Sequence, residues 1–156
     1  MNPKKFKLPK EFAEKWIKAL ESGEYIQGNG YLASIDEDLE NSSLSVCSHC
    51  CLGVAAETVG NTRESLLEVE YLYERKHYSG IPEELLSPNN SCNANNSLVF
   101  ILAHLNDGMG KDTFIQFKNY NYNYRTDIKQ HFGANNCLRY DFNQIIEFIK
   151  DNVEFY

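Results

Sequence analysis

Cys47-Ser48-His49-Cys50-Cys51 is the densest group of reactive side chains in the sequence, three thiols and an imidazole in five positions. Four chemistries compete for it. Zinc needs four converging ligands. Cys47 and Cys50 have the two-residue gap of a zinc knuckle, with His49 or Cys51 adjacent, but a second well-spaced pair is missing because Cys92 and Cys137 stand alone. No metal and no cofactor is therefore expected. Cysteine catalysis, as a hydrolase or transferase, would use Cys50 or Cys51 at a helix N-terminus, where a thiol becomes more acidic and more nucleophilic. His49, His104 or His131 would serve as base and Asn106 or Asp107 as orienter, and spacing selects none of the histidines. An anion site would use the free N–H groups of the first helical turn. Gly28 and Gly30 would allow close approach, and Arg63, Arg75, Arg125 and Arg139 would supply charge. The plainest reading packs Cys50 and Cys51 under the helix as small apolar residues.

Two further features carry chemistry. Glu57 lies on or beside the apolar face of that helix, so its carboxylate is paired or faces a polar cavity. Asn106-Asp107-Gly108 follows an apolar run, where Asn and Asp commonly make a local turn. His77 and the other histidines have no patterned partner and read as surface or cap residues.

The elements that position these groups follow from periodicity. Residues 9–22 predict a helix with Pro9 at its first position, Phe12, Trp16, Ala19 and Leu20 on one face, and Ser22-Gly23 as its stop. Trp16 reads as a core anchor. A hairpin is expected from Tyr31–Ile35 and Leu44–Cys47 around the polar, acidic stretch 36–43. The central helix, 49–59, places Leu52, Ala55, Ala56 and Val59 together, with Ser48 as N-cap and Gly60-Asn61 as its end. Small residues at 53, 55 and 56 predict a very close neighbour. Leu67, Val69, Tyr71 and Tyr73 alternate with mostly acidic residues and favour a strand, with a helix nearly as good. Pro82 opens a single helical turn, and Ser87–Asn96 reads as a loop. Residues 97–105 predict a helix, 111–124 an extended aromatic row, and 142–153 a helix capped by Asp141 and Gln144.

Composition sets the class. With 156 residues, 42% of them hydrophobic and 13% aromatic, the chain supports one α+β domain over residues 1–156. That domain is a compact, helix-led fold with a small antiparallel hairpin and a second β segment within 109–140. A net charge of −7 argues against nucleic acid as a partner, and Lys4, Lys5, Lys7 and Lys10 read as a solvated terminus. No apolar run approaches the ~20 residues of a membrane span, and no apolar signal segment follows the N-terminal lysines. Five cysteines make an odd number for a disulfide framework. A cytoplasmic protein with free thiols is expected.

Trp16, Ala19-Leu20-Glu21-Ser22-Gly23-Glu24-Tyr25, Gln27-Gly28, Gly30 and Leu32, followed by Cys50-Cys51-Leu52-Gly53-Val54 and Glu57, resemble a family of small phage and prophage proteins. Its members continue with a Pro-containing turn, here Ile81-Pro82-Glu83-Glu84, a Leu-Asn-Asp segment, here Leu105-Asn106-Asp107, and a Phe-x-x-Ile helix, here Phe142–Ile146. The front half of the match is specific and the back half is weak. Against that pattern this chain departs in its long hairpin tip, 36–43, and in 109–140, which by comparison with the family reads as an insertion within the single domain. Cys47 and His49 lie outside the pattern, which weighs further against zinc. The family is functionally uncharacterised. Its setting implies host cytoplasm and accessory phage functions, including interference with host defence.

These strands combine into an expected non-enzymatic binding protein. It would sequester a small anionic, nucleotide-like signal or block a host defence protein. The expected binding residues are Tyr25, Gln27, Gly28, Gly30, Cys50, Cys51, Glu57, Asn106 and Asp107, gathered around one cavity. The alternatives are the cysteine enzyme and an oligomeric protein–protein interaction module using the aromatic row 114–124, with homo-oligomerisation left open.

Overall fold

A short strand, β1 (Phe6–Leu8), leads into α1 (Lys10–Glu21) in the computed structural model, which describes residues 3–37, 45–69, 80–90, 97–120, 122–123 and 137–156. Helix α1 buries Phe12, Ala13, Trp16, Ile17 and Leu20, the stripe that a 3.6-residue period places on one side. Pro9 is its N-cap and not its first helical residue. Strand β2 (Ile26–Gln27) then runs parallel to β4 (Ser45–His49), which is antiparallel to β3 (Ala33–Glu37). The expected hairpin is therefore present, its first arm two residues further along and its second starting one residue and ending two residues later. Its acidic tip, 38–44, lies outside the described residues.

Helix α2 (Cys51–Thr58) starts two residues later than periodicity suggested. Ser48 and His49 belong to β4, so Ser48 cannot cap the helix. Cys50 does, its thiol accepting from Gly53 N at 3.3 Å. Cys51 through Ala56 are all buried, as befits a helix packed on several sides, against α1 and α5 (Leu98–Asp107) among others. Gly53 makes this possible. A Cβ there would stand 2.7 Å from the Leu32 carbonyl carbon and collide with its oxygen, so only glycine lets that backbone lie on the first turn of α2.

Helical turns α3 (Arg63–Leu66) and α4 (Glu83–Leu86) flank the stretch 70–79, which lies outside the described residues. Most of the strand expected across Leu67–Tyr73 therefore cannot be compared. Its described start is a turn and not a strand: Glu68 has φ +59° and Val69 N donates to Leu66 O at 3.2 Å, while Leu67 bridges Ala33 and Leu32 N donates to Val69 O at 2.8 Å. Helix α5 runs through Asn106 and Asp107 to Gly108, so those residues form its last turn and not the loop that local propensity predicts.

Strand β5 (Met109–Gly110) precedes α6 (Lys111–Asn119) and pairs antiparallel with β6 (Cys137–Leu138). Here the extended aromatic row is corrected: 111–119 is helical. Phe114, Phe117 and Tyr120 recur every three residues, a helical interval, and the alternating tyrosines begin only where α6 ends. Tyr122 is buried, stacked on Phe6 at 5.6 Å and edge-on to Phe148 at 5.9 Å. It is a core residue and offers no docking surface.

Helix α7 (Phe142–Asn152) carries the predicted capping box: Asp141 accepts from Gln144 N at 2.8 Å and Gln144 accepts from Asp141 N at 2.9 Å. Strand β7 (Val153–Phe155) follows and pairs in parallel with β1. One hydrophobic cluster runs from Phe6 to Val153, so the α+β fold closes around a single core. Among the described residues no helix is long and apolar enough to cross a membrane.

Candidate functional site

Asn106 stands where three distant pieces of sequence meet. Its Oδ1 accepts from Cys51 N at 3.1 Å and from Gln27 Nε2 at 3.0 Å. Its Nδ2 donates to Gly28 O at 2.8 Å and to Asp107 Oδ1 at 3.0 Å. A neutral amide offers two acceptor sites and two donor hydrogens, so this side chain, with no exposed surface, has its full complement of partners. Gln27 Nε2 also donates to Tyr140 O at 2.8 Å, and Gly30 N donates to Asp107 Oδ1 at 3.2 Å. The glycine turn, the start of α2 and the end of α5 thus meet at one point, bonded to one another through Asn106. The Asn106 side chain fills their meeting point.

Exposure divides the expected binding residues. Cys50, Cys51 and Asn106 are buried. Gln27, Gly28 and Asp107 are half-buried and Gly30 is exposed, which leaves a rim around the corner. Gly28 is held tightly, since a Cβ there would lie 2.9 Å from Ser48 Cβ. Arg139 belongs to the same rim. It donates from Nε to the Asn106 carbonyl at 3.0 Å, and its Nη nitrogens have no partner among the described residues. Arg75 and Arg125 lie outside the described residues.

Tyr25 and Glu57 belong to a second corner. His49, at the end of β4, is buried, and its Nε2 meets Glu57 Oε2 on the last turn of α2. Arg63 Nε approaches the same oxygen at 3.8 Å. Tyr25 lies edge-on to the His49 ring at 4.9 Å. His49 Nδ1 and Nε2 and Glu57 Oε2 are all buried with no hydrogen-bond partner among the described residues, so the Nε2–Oε2 approach is a charge contact and not a formed hydrogen bond. Burial lowers the His49 pKa below its ordinary value, against an opposing pull from Glu57. Burial likewise raises Tyr25, with Glu57 adding to the effect, and raises Cys47. His49 is thus no surface or cap residue. Its partner stands eight positions on, across a strand–helix junction that no local pattern marks.

The twin thiols are placed for packing and capping. Burial pushes Cys51 well above its ordinary pKa, the opposite of what an activated nucleophile needs. Its Sγ approaches Leu102 O at 3.8 Å. Two of the first-turn donors of α2 that an anion would meet are engaged as well, Cys51 N by Asn106 and Gly53 N by Cys50. Among the described residues no three His, Cys, Asp or Glu side chains are placed to hold a metal ion.

Two hollows lie elsewhere. One of 10 Å³, beside His104, Met109, Thr113 and Tyr120, is about the size of a single water. The other is an open groove of 270 Å³ bordered by Glu21, Asp141 and Glu147, whose carboxylates would repel an anion.

Fold and site together describe an α+β domain with a fully bonded polar hub and a rim that carries Arg139 and Asp107. Residues 8–153 match the family described as a domain of unknown function, DUF8296, and the chain belongs to that family. No curated protein and no solved structure matches it.

Proposed function

We propose that this is a non-enzymatic binding protein of phage type. It captures a small anionic, nucleotide-like ligand at the rim of the Asn106 corner. Arg139 is the observation that carries the reading. Its Nε is fixed on the Asn106 carbonyl at 3.0 Å, which leaves the Nη pair to face a ligand. A planar guanidinium held in place suits bidentate contact with phosphate or carboxylate. Gly30 adds exposed backbone without a side chain in the way, and Gln27 adds a half-buried amide. Asp107 is the adverse charge at this rim, dispersed in part by the bonds it accepts from Gly30 N and Asn106 Nδ2.

The phage setting rests on the resemblance in the front half of the chain. With a nucleotide immune signal as the ligand, the protein would act in counter-defence by sequestration. Thermal unfolding with cyclic nucleotides and ADP-ribose derivatives tests the reading. A ligand at 100 times its dissociation constant stabilises by about 2.7 kcal/mol, on the order of 5–10 °C in a domain of this size. Arg139→Ala should abolish the shift and leave the ligand-free melting temperature nearly unchanged. A shift that survives Arg139→Ala would remove the rim from consideration. The absence of any shift across the panel would replace the small ligand with a host defence protein as the object of binding.

A further inference from the structure

We propose that His49 is the proton-sensitive catch of the corner formed by the end of β4, the last turn of α2 and the start of α3, and that protonating its ring opens this corner. The geometry is specific. Both ring nitrogens are buried without a hydrogen-bond partner among the described residues, and Nε2 is the one that stands against Glu57 Oε2; with the proton of the neutral ring assigned to Nε2, on the carboxylate side, Nδ1 is a bare acceptor. An unfilled acceptor is tolerable. A proton added at Nδ1 creates a buried N–H with no acceptor among the described residues, on a ring that now carries charge.

Among the described residues the charged and titratable groups around the ring are few. Glu57 from α2 favours the imidazolium. Arg63 from α3 opposes it, and burial opposes it most. Tyr25 closes the ring from the segment before β2, with Glu24 beside it, while Cys47 on β4 and Glu64 on α3 complete the surroundings.

The corner holds more than itself. The His49 carbonyl accepts from Gly28 N at 2.8 Å, and Cys50 N donates to Leu32 O at 3.3 Å. One turn away, Cys51 O accepts from Trp16 Nε1 at 2.9 Å. Trp16 is the single tryptophan of the chain, so a displacement of the β4–α2 junction reports directly in its fluorescence.

The sign follows from linkage. The folded His49 binds its proton more weakly than the unfolded one, whose ordinary value is 6.5. The corner is therefore at full strength above about pH 6.5 and weakens as pH falls below it. The closed form loses ground by up to about tenfold per pH unit. His104 is also pulled down by burial and contributes a proton step of its own, so the comparison between proteins isolates His49.

The experiment is an acid titration of Trp16 emission, with far-ultraviolet circular dichroism recorded in parallel. The wild type should show a one-proton red shift with its midpoint below pH 6.5 while helical signal is retained. His49→Gln still offers Glu57 a donor but cannot titrate, and it should lack that step. Glu57→Gln removes the charge that favours the imidazolium and should move the step to lower pH. The same transition in His49→Gln, or loss of helical signal at the same pH as the emission change, would overturn the proposal. Should His49→Gln not fold, proton NMR of the wild-type histidine rings decides it. A His49 ring titrating at or above 6.5 in the folded protein overturns the catch, and one titrating clearly lower supports it.

Discussion

Replacing Asn106 with alanine should be among the most damaging single changes available in this chain. The amide holds four partners on three elements. Two of them have alternatives: Gln27 Nε2 keeps Tyr140 O, and Asp107 keeps Gly30 N. Gly28 O is half-buried and can turn partly to water. Cys51 N cannot, because it sits in the buried first turn of α2. A stranded buried donor costs about 1–3 kcal/mol, and each further lost bond about 0.5–1.5 kcal/mol. The expected loss is therefore about 3–7 kcal/mol, comparable with the whole stability of a weak domain. Urea unfolding followed by Trp16 fluorescence and circular dichroism measures it, with a midpoint shift on the order of 1.5–3.5 M at a typical slope. Asn106→Asp keeps the acceptor for Cys51 N but turns an oxygen toward Gly28 O and Asp107, so it should be no milder than alanine. Gln27→Ala, at a half-buried site, should cost only about 1–2 kcal/mol. A loss below about 1 kcal/mol for Asn106→Ala would mean that the corner relaxes around the gap, and the hub argument would fail.

Other positions give independent checks. Gly53→Ala should destabilise by about 3 kcal/mol, the upper part of the overpacking range, because the obstacle is the Leu32 backbone. A net gain, as helix propensity alone would give, would refute the close approach. Tyr122→Ala should lower unfolding free energy by about 3–5 kcal/mol without altering mass in light scattering, whereas a changed oligomeric state with stability intact would restore the interaction-surface reading. Iodoacetamide near neutral pH, followed by peptide mass spectrometry, should modify Cys47 before Cys50 and Cys51, which should react only on unfolding. Rapid native labelling of Cys50 or Cys51 would reopen the cysteine-enzyme alternative.

Asparagine has one role at several places in this fold. Asn90 accepts from Lys7 N at 2.8 Å and donates to Lys7 O at 2.9 Å, standing in for a strand beside β1. Asn152 does the same for Asn123, accepting from its N at 2.7 Å and donating to its O at 3.1 Å. Asn106 extends the device to three elements at once. A primary amide carries the donor and acceptor of a peptide group, so it can close a backbone edge where no strand is available. These residues look like turn formers in one dimension because their short-range propensity favours turns. Their long-range partners are invisible there.

Helix stripes and the last capping box were legible because they are local. The α1 face around Trp16 and the Asp141–Gln144 box each depend on spacing within about one or two turns, where side-chain direction follows from backbone geometry. The small residues of α2 allowed a close neighbour at Gly53 without naming it, because Leu32 is distant in sequence, and the cap of α2 was misplaced from Cys50 to Ser48. The hairpin was legible with its arms offset by one or two residues, since its register depends on pairing and not on alternation alone. The Asn106 hub joins positions 27, 51 and 106, and the His49–Glu57 contact crosses from strand to helix. Helix α6 went unread because the tyrosine alternation beyond it overlaps a three-residue aromatic interval. Which polar residues are buried, which thiols are shut away and which arginine stays open depend on how the elements stack. Stacking is a property of the whole core, and no window of sequence contains it.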